Sequence, residues 1–429
     1  MEIQFNKLRE MLVLMKPVIS KKTTLPVTSY IRFGDGKAIA TDLETMIIAD
    51  LPEATEPMLL PFASLADTLK YVPGDTIKIE VQGKKLSLAW DGGTASYPTL
   101  DAQDFPVLPE METKAEGLID GDTLVQAMES ALPYVATEGG RPVLCGVTLV
   151  LGNPIEVAAG DGFTMSHQVL PLSFPLEQKV IVPAHCVYIM GYVFAKTPRT
   201  PPADADSLIS VITAKRQLHV ALIGDHKLRF DFGTTASVVI NLIEGNPPEW
   251  LQIIPKGEPI LQSQLFAPQL EAATKRVRDI AKNSSGIVRM VFADGKLTVS
   301  AKGEDAEITA TMDTLNTQGE PGRMALNYPY LLRYLTGKQG IITLSQYNTT
   351  GPVMFEYQNT PRVLLMPMFV QWGDEPAAVK EPEEEPETLE EHPEEEEPEA
   401  SLEEGETGEG EETEPAEPVA VAVEPEQLP

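Results

Sequence analysis

One pattern occurs three times in the chain and limits what it can fold into. Residues 180–193, VIVPAHCVYIMGYV, read as a short β-branched strand, a proline at the first helical position and an apolar helix. Residues 59–72, LLPFASLADTLKYV, carry an earlier copy. Residues 324–335, MALNYPYLLRYL, carry a later one, with Asn327 in the place of Pro61 and Pro183. The copies lie roughly 120–145 residues apart, too long a period for a solenoid. That spacing predicts three copies of one domain.

The flanking sequence repeats as well. Leu8, Met11, Leu12, Met15 and Ile19 keep the helical period over residues 6–19. Strands are predicted over 27–33, 38–41 and 45–51, with a turn at Gly34-Asp35-Gly36, and over 76–81 and 86–90. Asp120-Gly121-Asp122 caps a predicted helix over 123–136. Strands over 143–151, 155–159 and 164–170 follow, the last two joined by the Gly160-Asp161-Gly162 turn, with further strands at 207–213, 218–223 and 228–232. A long helix is predicted over 264–282, then strands at 288–293, 297–301, 307–315, 341–346, 353–357 and 363–370. The segments DFPVLP and NPPEWLQIIP close the first two units alike. Each unit reads helix, strands, helix, strands, which is an α+β layer domain with two helices packed on antiparallel sheet. The expected units are 1–114, 115–255 and 256–373, followed by a tail over 374–429.

The formal charge of −31 is unevenly distributed. From Asp374 onward there are 24 Asp/Glu and one Lys, net −23, whereas the body carries 40 Asp/Glu and 32 Lys/Arg, net −8. The tail holds too little apolar surface to offset chain entropy, so disorder is expected there, as an acidic interaction arm or a solvating tail.

Cys145 and Cys186 sit in apolar runs, and none of the five His forms a ligand-spaced pair. Two buried thiols in a reducing compartment are expected, with no metal and no cofactor. No stretch approaches ~18 apolar residues and the N-terminus lacks a signal-peptide pattern, so the expectation is a cytoplasmic protein with no membrane partner. No phosphate loop, dinucleotide fingerprint or nucleophile elbow occurs. Asp42 and Glu44 form an i,i+2 pair of the kind usually solvated, so a binding role is expected and not an enzyme.

The informative charges are on helices. Lys275, Arg278 and Lys282 are spaced i, i+3, i+7 on one face, with Arg276 beside them. Arg9 and Lys16 do the same on the first predicted helix, with Lys70 on the second. Lys196 and Arg333 belong to the second helices of the later units. Basic helix faces on an otherwise acidic body would draw phosphates there and repel them elsewhere.

Ordered motifs along the body resemble the bacterial sliding clamp family, the β subunits of DNA polymerase III. They include Thr24-Leu25-Pro26-Val27, Ala40-Thr41-Asp42-Leu43-Glu44, Asp104-Phe105-Pro106, and Arg141-Pro142-Val143-Leu144-Cys145-Gly146-Val147. Further on are Ala159-Gly160-Asp161-Gly162, Leu242-Ile243-Glu244-Gly245, Lys275-Arg276-Val277 and Met366-Pro367-Met368. The resemblance implies a head-to-tail homodimeric ring of six domains that encircles double-stranded DNA without reading its sequence, with Lys22 at a DNA-touching position. It implies a processivity factor, opened by a clamp loader and tethering a DNA polymerase through short peptides.

It also implies a partner-peptide groove. Its second-unit side would be Leu144, Gly162, Phe163, Met165, Pro248 and Ile253. Its third-unit side would be Asn327, Tyr330, Leu364, Leu365, Met366, Pro367 and Met368. Phe163-Thr164 stands where the family usually has His-Arg, and Gln252 and Phe369 where basic residues are common, which favours a more apolar peptide. The helix over 123–136 has Glu129 and no Lys or Arg, and Glu138, Pro142 and Val143 fall where polar or aromatic DNA contacts are expected. A divergent or phage-type clamp-fold scaffold that binds partners without encircling DNA is the alternative.

Overall fold

Six helices of the computed structural model pair off along the chain: α1 (Phe5–Met15) with α2 (Phe62–Thr68), α3 (Gly121–Ala131) with α4 (Ala184–Lys196), and α5 (Ala267–Lys282) with α6 (Tyr328–Leu335). The structure describes residues 1–20, 25–72, 74–106, 112–137, 140–199 and 216–372, and residues 1–370 form one body. Lys22, Glu138, the strand expected at 207–213 and the tail 374–429 lie outside the described residues. No helix among the described residues is long and apolar enough to cross a membrane.

Each helix buries one stripe. On α5 the buried positions are Ala267, Leu270, Ala273, Thr274, Val277 and Ala281, which leaves Lys275, Arg276, Arg278 and Lys282 exposed. Helix α1 stops at Met15, short of the expected 19, because Pro17 cannot continue it and the chain tightens into a 3₁₀ turn over Lys16–Val18. Pro133 does the same to α3, followed by the 3₁₀ turn Leu132–Tyr134. The Asp120 carboxylate caps α3 by accepting from the Thr123 N–H at 3.3 Å. Helix α5 begins at Ala267 and not at 264, because Leu261–Phe266 is a strand with Leu261, Ser263 and Leu265 buried in alternation.

The strands repeat in one order three times. Each unit opens with a strand that the sequence pattern did not show: Glu2–Gln4, Thr113–Asp120 and Leu261–Phe266. That strand pairs with the first described strand after the second helix: Thr76–Gln82, Gln217–Ile223 and Ile341–Gln346. Between the two helices four strands make a second antiparallel sheet, whose last strand returns beside its first, as Met58–Pro61 does beside Tyr30–Gly34; in the third unit a fifth strand, Asn316–Gly319, pairs instead with Leu261–Phe266.

Adjoining units share sheets. Thr45–Asp50 pairs antiparallel with Ser237–Asn241, which joins the first and second units in one eight-stranded sheet. Thr164–Leu170 pairs with Arg362–Leu365, which joins the second and third in a nine-stranded sheet. The equivalents of these strands at the two ends of the series are Glu307–Asp313 and Gly93–Pro98. Each pairs on one side only, with Lys296–Lys302 and Lys85–Trp90 respectively. They are open edges of the same kind as those that join the units.

Candidate partner groove and basic helix faces

At the seam of the second and third units, period-2 alternation sorts the strand Arg362–Leu365 into two faces. Val363 and Leu365 turn into the main core, which runs through the whole body. Leu364 turns the other way, into a separate apolar cluster with Leu144, Ala158, Met165, Trp250 and Met354. Met165 and Leu364 face each other across the strand pair. Leu365 was expected in the groove and is instead a core residue, 1% exposed, because its neighbour Leu364 takes the outward face.

The rim of this cluster is exposed and apolar. Phe163 is 56% exposed and stacks on Tyr330, ring centroids 6.1 Å apart. The Met366 N–H donates to the Phe163 carbonyl at 2.9 Å, and the Met368 N–H to the Ala325 carbonyl at 2.8 Å, so the segment carrying Met366, Pro367 and Met368 is pinned to both units. Ile253 and Leu251 are exposed on the short helical turn Trp250–Ile253, and Pro248 accepts from the Trp250 N–H just before it. Asn327 ends a strand and opens α6, which carries Tyr330. Gly162 lies on the turn with a φ of +92°, a left-handed conformation that glycine adopts without strain.

Trp250 forms part of the cluster floor and was not singled out in the sequence. Gly160 makes room for it: a Cβ there would meet the indole ring at 2.8 Å. A tryptophan after two prolines, ahead of Leu251 and Ile253, was the available signal. Met354 and Ala158 sit on the strands that flank the Met165 and Leu364 strands on either side, and nothing local distinguishes them from ordinary core.

Arg333 was expected to face DNA, and the structure places it beside the groove. Its guanidinium donates to the Asp161 carboxylate at 3.0 Å and to the Thr164 hydroxyl at 2.6 Å. It lies over the Tyr330 and Tyr134 rings, 4.8 and 5.1 Å from their centroids. Asp161 in turn accepts from the N–H groups of Phe163 and Thr164, which makes Gly160-Asp161-Gly162 a braced hairpin turn. The Arg333 charge is therefore engaged at the seam.

The other cations lie on helix faces. Arg9 and Lys196, from different units, line one cavity of about 750 Å³ together with Val13, Pro198 and Thr235. The Tyr192 hydroxyl donates to the Val13 carbonyl at 2.9 Å across that seam, with Lys196 above the Tyr192 ring. Lys16 is exposed at the end of α1. Lys70 pairs with Asp67 and Lys275 with Glu271, both at 2.7 Å; both lysine side chains remain more than half exposed, so these links constrain them weakly. On α3, Asp122 is held by Arg216 at 2.7 Å and Arg199 at 3.0 Å. Arg216 also stacks on Phe194, 3.7 Å from its ring centroid.

A thrice-repeated α+β unit with shared antiparallel sheets and paired helices defines a clamp fold. The chain is similar in sequence, at low identity, to bacterial beta sliding clamps, and it shares the fold of DNA polymerase III beta subunits. It is 24% identical over 339 residues to the beta sliding clamp of Caulobacter vibrioides, covering 74% of this chain and 85% of that one. It is 25% identical over 288 residues to the beta sliding clamp homolog GriR of Streptomyces muensis, covering 66% and 72%. The DNA polymerase III subunit beta of Pseudomonas aeruginosa superposes with a TM-score of 0.74 at 21% identity, over 86% of this chain and 99% of that one. The sliding clamp of the same organism bound to griselimycin superposes with a TM-score of 0.72 at 22% identity, over the same shares. No family model matches the chain.

Proposed function

We propose that two copies of this chain close head to tail into a ring around duplex DNA, and that the ring acts as a non-catalytic processivity clamp. The carrying observation is the pair of open edges. Units within the chain join when a strand equivalent to Glu307–Asp313 pairs with one equivalent to Gly93–Pro98. The remaining two edges are complementary by the same rule, so a second copy adds on each side without a new kind of contact, and closure pairs both of them. On this reading the six domains of the ring are the units expected at 1–114, 115–255 and 256–373, each present twice.

The exposed cations on α1, α4 and α5 suit phosphate contacts that are few and sequence-independent, which lets a closed ring slide. On this reading Arg9, Lys16, Lys70, Lys196, Lys275, Arg276, Arg278 and Lys282 supply the DNA-facing charge. The groove from Leu144 to Met366 takes short peptides of a DNA polymerase and a clamp loader. Its rim of Phe163, Met366 and Phe369 favours apolar side chains, in keeping with the adaptable packing of methionine and aromatic surfaces.

The test is retention on DNA after loading by the matching loader. Retention on a nicked circle and loss when the circle is cut supports the ring. Equal loss from circular and linear DNA overturns it and leaves the scaffold reading, which the absence of Lys and Arg from α3 favours.

A further inference from the structure

At the seam of the first and second units the fold gathers three different metal-binding chemistries from two segments far apart in sequence. The hairpin between Lys37–Thr41 and Thr45–Asp50 brings Asp42 and Glu44 against the first turn of α4, which carries His185 and Cys186. The His185 Nε2 lies 3.1 Å from Glu44 Oε2, 3.3 Å from Cys186 Sγ and 4.0 Å from Asp42 Oδ2. The Glu44, His185 and Cys186 ligand atoms all lie within 4.8 Å of one another.

We propose that Cys186, His185 and Glu44, with Asp42 as a fourth donor, form a binding site for a borderline-soft divalent metal such as zinc. Bonds of about 2.0–2.3 Å to N, O and S put tetrahedral ligand atoms about 3.3–3.7 Å apart, and the observed separations bracket that spacing. A thiolate, an imidazole and a carboxylate together select zinc-like ions over the hard cations, which take oxygen alone.

The surroundings hold these groups in place. The Thr45 hydroxyl donates to Cys186 Sγ at 3.0 Å, which fixes the sulfur toward the cluster. Asp42 accepts from the Glu44 and Thr45 N–H groups through Oδ1, at 3.0 and 2.6 Å, and its second oxygen remains on the His185 side. The hairpin is itself anchored to the second unit, because Asn241 donates to the Leu43 carbonyl and to the Glu44 carbonyl. Cys186 is fully buried while His185 and Glu44 reach the surface, so an ion can enter from solvent and meet the thiol last. A bound ion would fasten the first unit to the second independently of DNA and of the partner groove.

The probe is cobalt(II), then zinc, added to the full chain after chelator treatment. The expected result is a thiolate-to-cobalt charge-transfer band that saturates near about one equivalent per chain and is displaced by zinc. The acidic tail over 374–429 contains no cysteine, so cobalt bound there gives no such band. Cys145→Ser should keep the band. Cys186→Ser and His185→Gln should abolish it, and Glu44→Gln should lower the affinity about tenfold or more. Should Cys186→Ser fail to fold, His185→Gln and Glu44→Gln carry the test, because both side chains are largely solvated. No charge-transfer band in the folded wild-type chain, or a band that survives His185→Gln with unchanged affinity, overturns the site.

Discussion

Arg333 on α6 and Asp161 on the Gly160–Gly162 turn meet at 3.0 Å, 172 residues apart in sequence, and their ion pair braces both the seam and the rim of the groove. The guanidinium also contacts Thr164 and lies over Tyr330, so one side chain holds the turn, the strand behind it and the ring that stacks on Phe163. Arg333→Gln should cost about 1.5–3 kcal/mol in chemical unfolding, the usual loss for hydrogen bonds to a charged group. Binding of an apolar partner peptide should weaken with it, while sliding on DNA stays. A variant of wild-type stability that loses DNA retention instead would return Arg333 to the DNA-facing surface.

Leu365, the last residue of its strand, and Met366 just beyond it should separate fold from function. Leu365 lies in the main core, and Leu365→Ala should cost about 2–5 kcal/mol by lost burial and the cavity left behind. Met366 is 40% exposed on the rim, and Met366→Ala should change stability by less than about 1 kcal/mol while reducing peptide affinity. Urea midpoints and peptide titrations on the two variants check this. Equal effects on both readouts would show that core and rim are not distinct at this point of the chain.

Helix pairs and hairpins were legible because their causes are local: proline at a helix start, the 3.6-residue period, glycine at turns. The opening strands were not. Glu2–Gln4 spans three residues, and Leu261–Phe266 runs straight into α5 so that its alternation merges with the helical period. Leu364 and Leu365 are alike until the register with Met165 is known. The roles of Arg333 and of the Glu44–His185–Cys186 cluster depend on partners more than a hundred residues away, and spacing alone cannot show those.

Asp122 gives a pH dependence with a definite sign. Burial pushes its carboxyl up, but hydrogen bonds from the Arg216 side chain and backbone, with the charges of Arg216 and Arg199, outweigh this and hold it below its ordinary value. A carboxyl lowered on folding stabilises the protein above its unfolded pKa of about 3.9, and that stability is lost as pH falls through the lowered value. Asp122→Asn should therefore be less stable by about 1–3 kcal/mol at neutral pH. The gap should close in acid as wild-type Asp122 is protonated. Urea midpoints across the acid range check it; a gap that is constant with pH would mean that Asp122 acts through packing alone.

The acidic tail makes a separate electrostatic prediction. Its net charge of −23 is tethered to a body that exposes basic helix faces, so it should compete with DNA for them. Deleting residues 374–429 should raise affinity for linear duplex DNA at low salt, with the difference shrinking as salt screens the tail. Equal affinities of the full and shortened chains at every salt concentration would exclude competition.

Self-association should run through the open edges. Along Gly93–Pro98, successive backbone N–H groups point alternately toward Lys85–Trp90 and away from the sheet. Of Ala95→Pro and Ser96→Pro, one removes an inward donor and leaves its ladder partner unsatisfied, which should destabilise the fold by about 1–3 kcal/mol. The other removes an outward donor, which costs the isolated chain little but deletes a ladder bond to the Glu307–Asp313 edge of a second copy. Sedimentation at micromolar concentration should give twice the 46.8 kDa chain mass for wild type, and a shift toward single chains for the folded proline variant. If both variants associate as wild type does, these strands are not the joint. If wild type is itself a monomer at that concentration, the chain does not close a stable ring unaided.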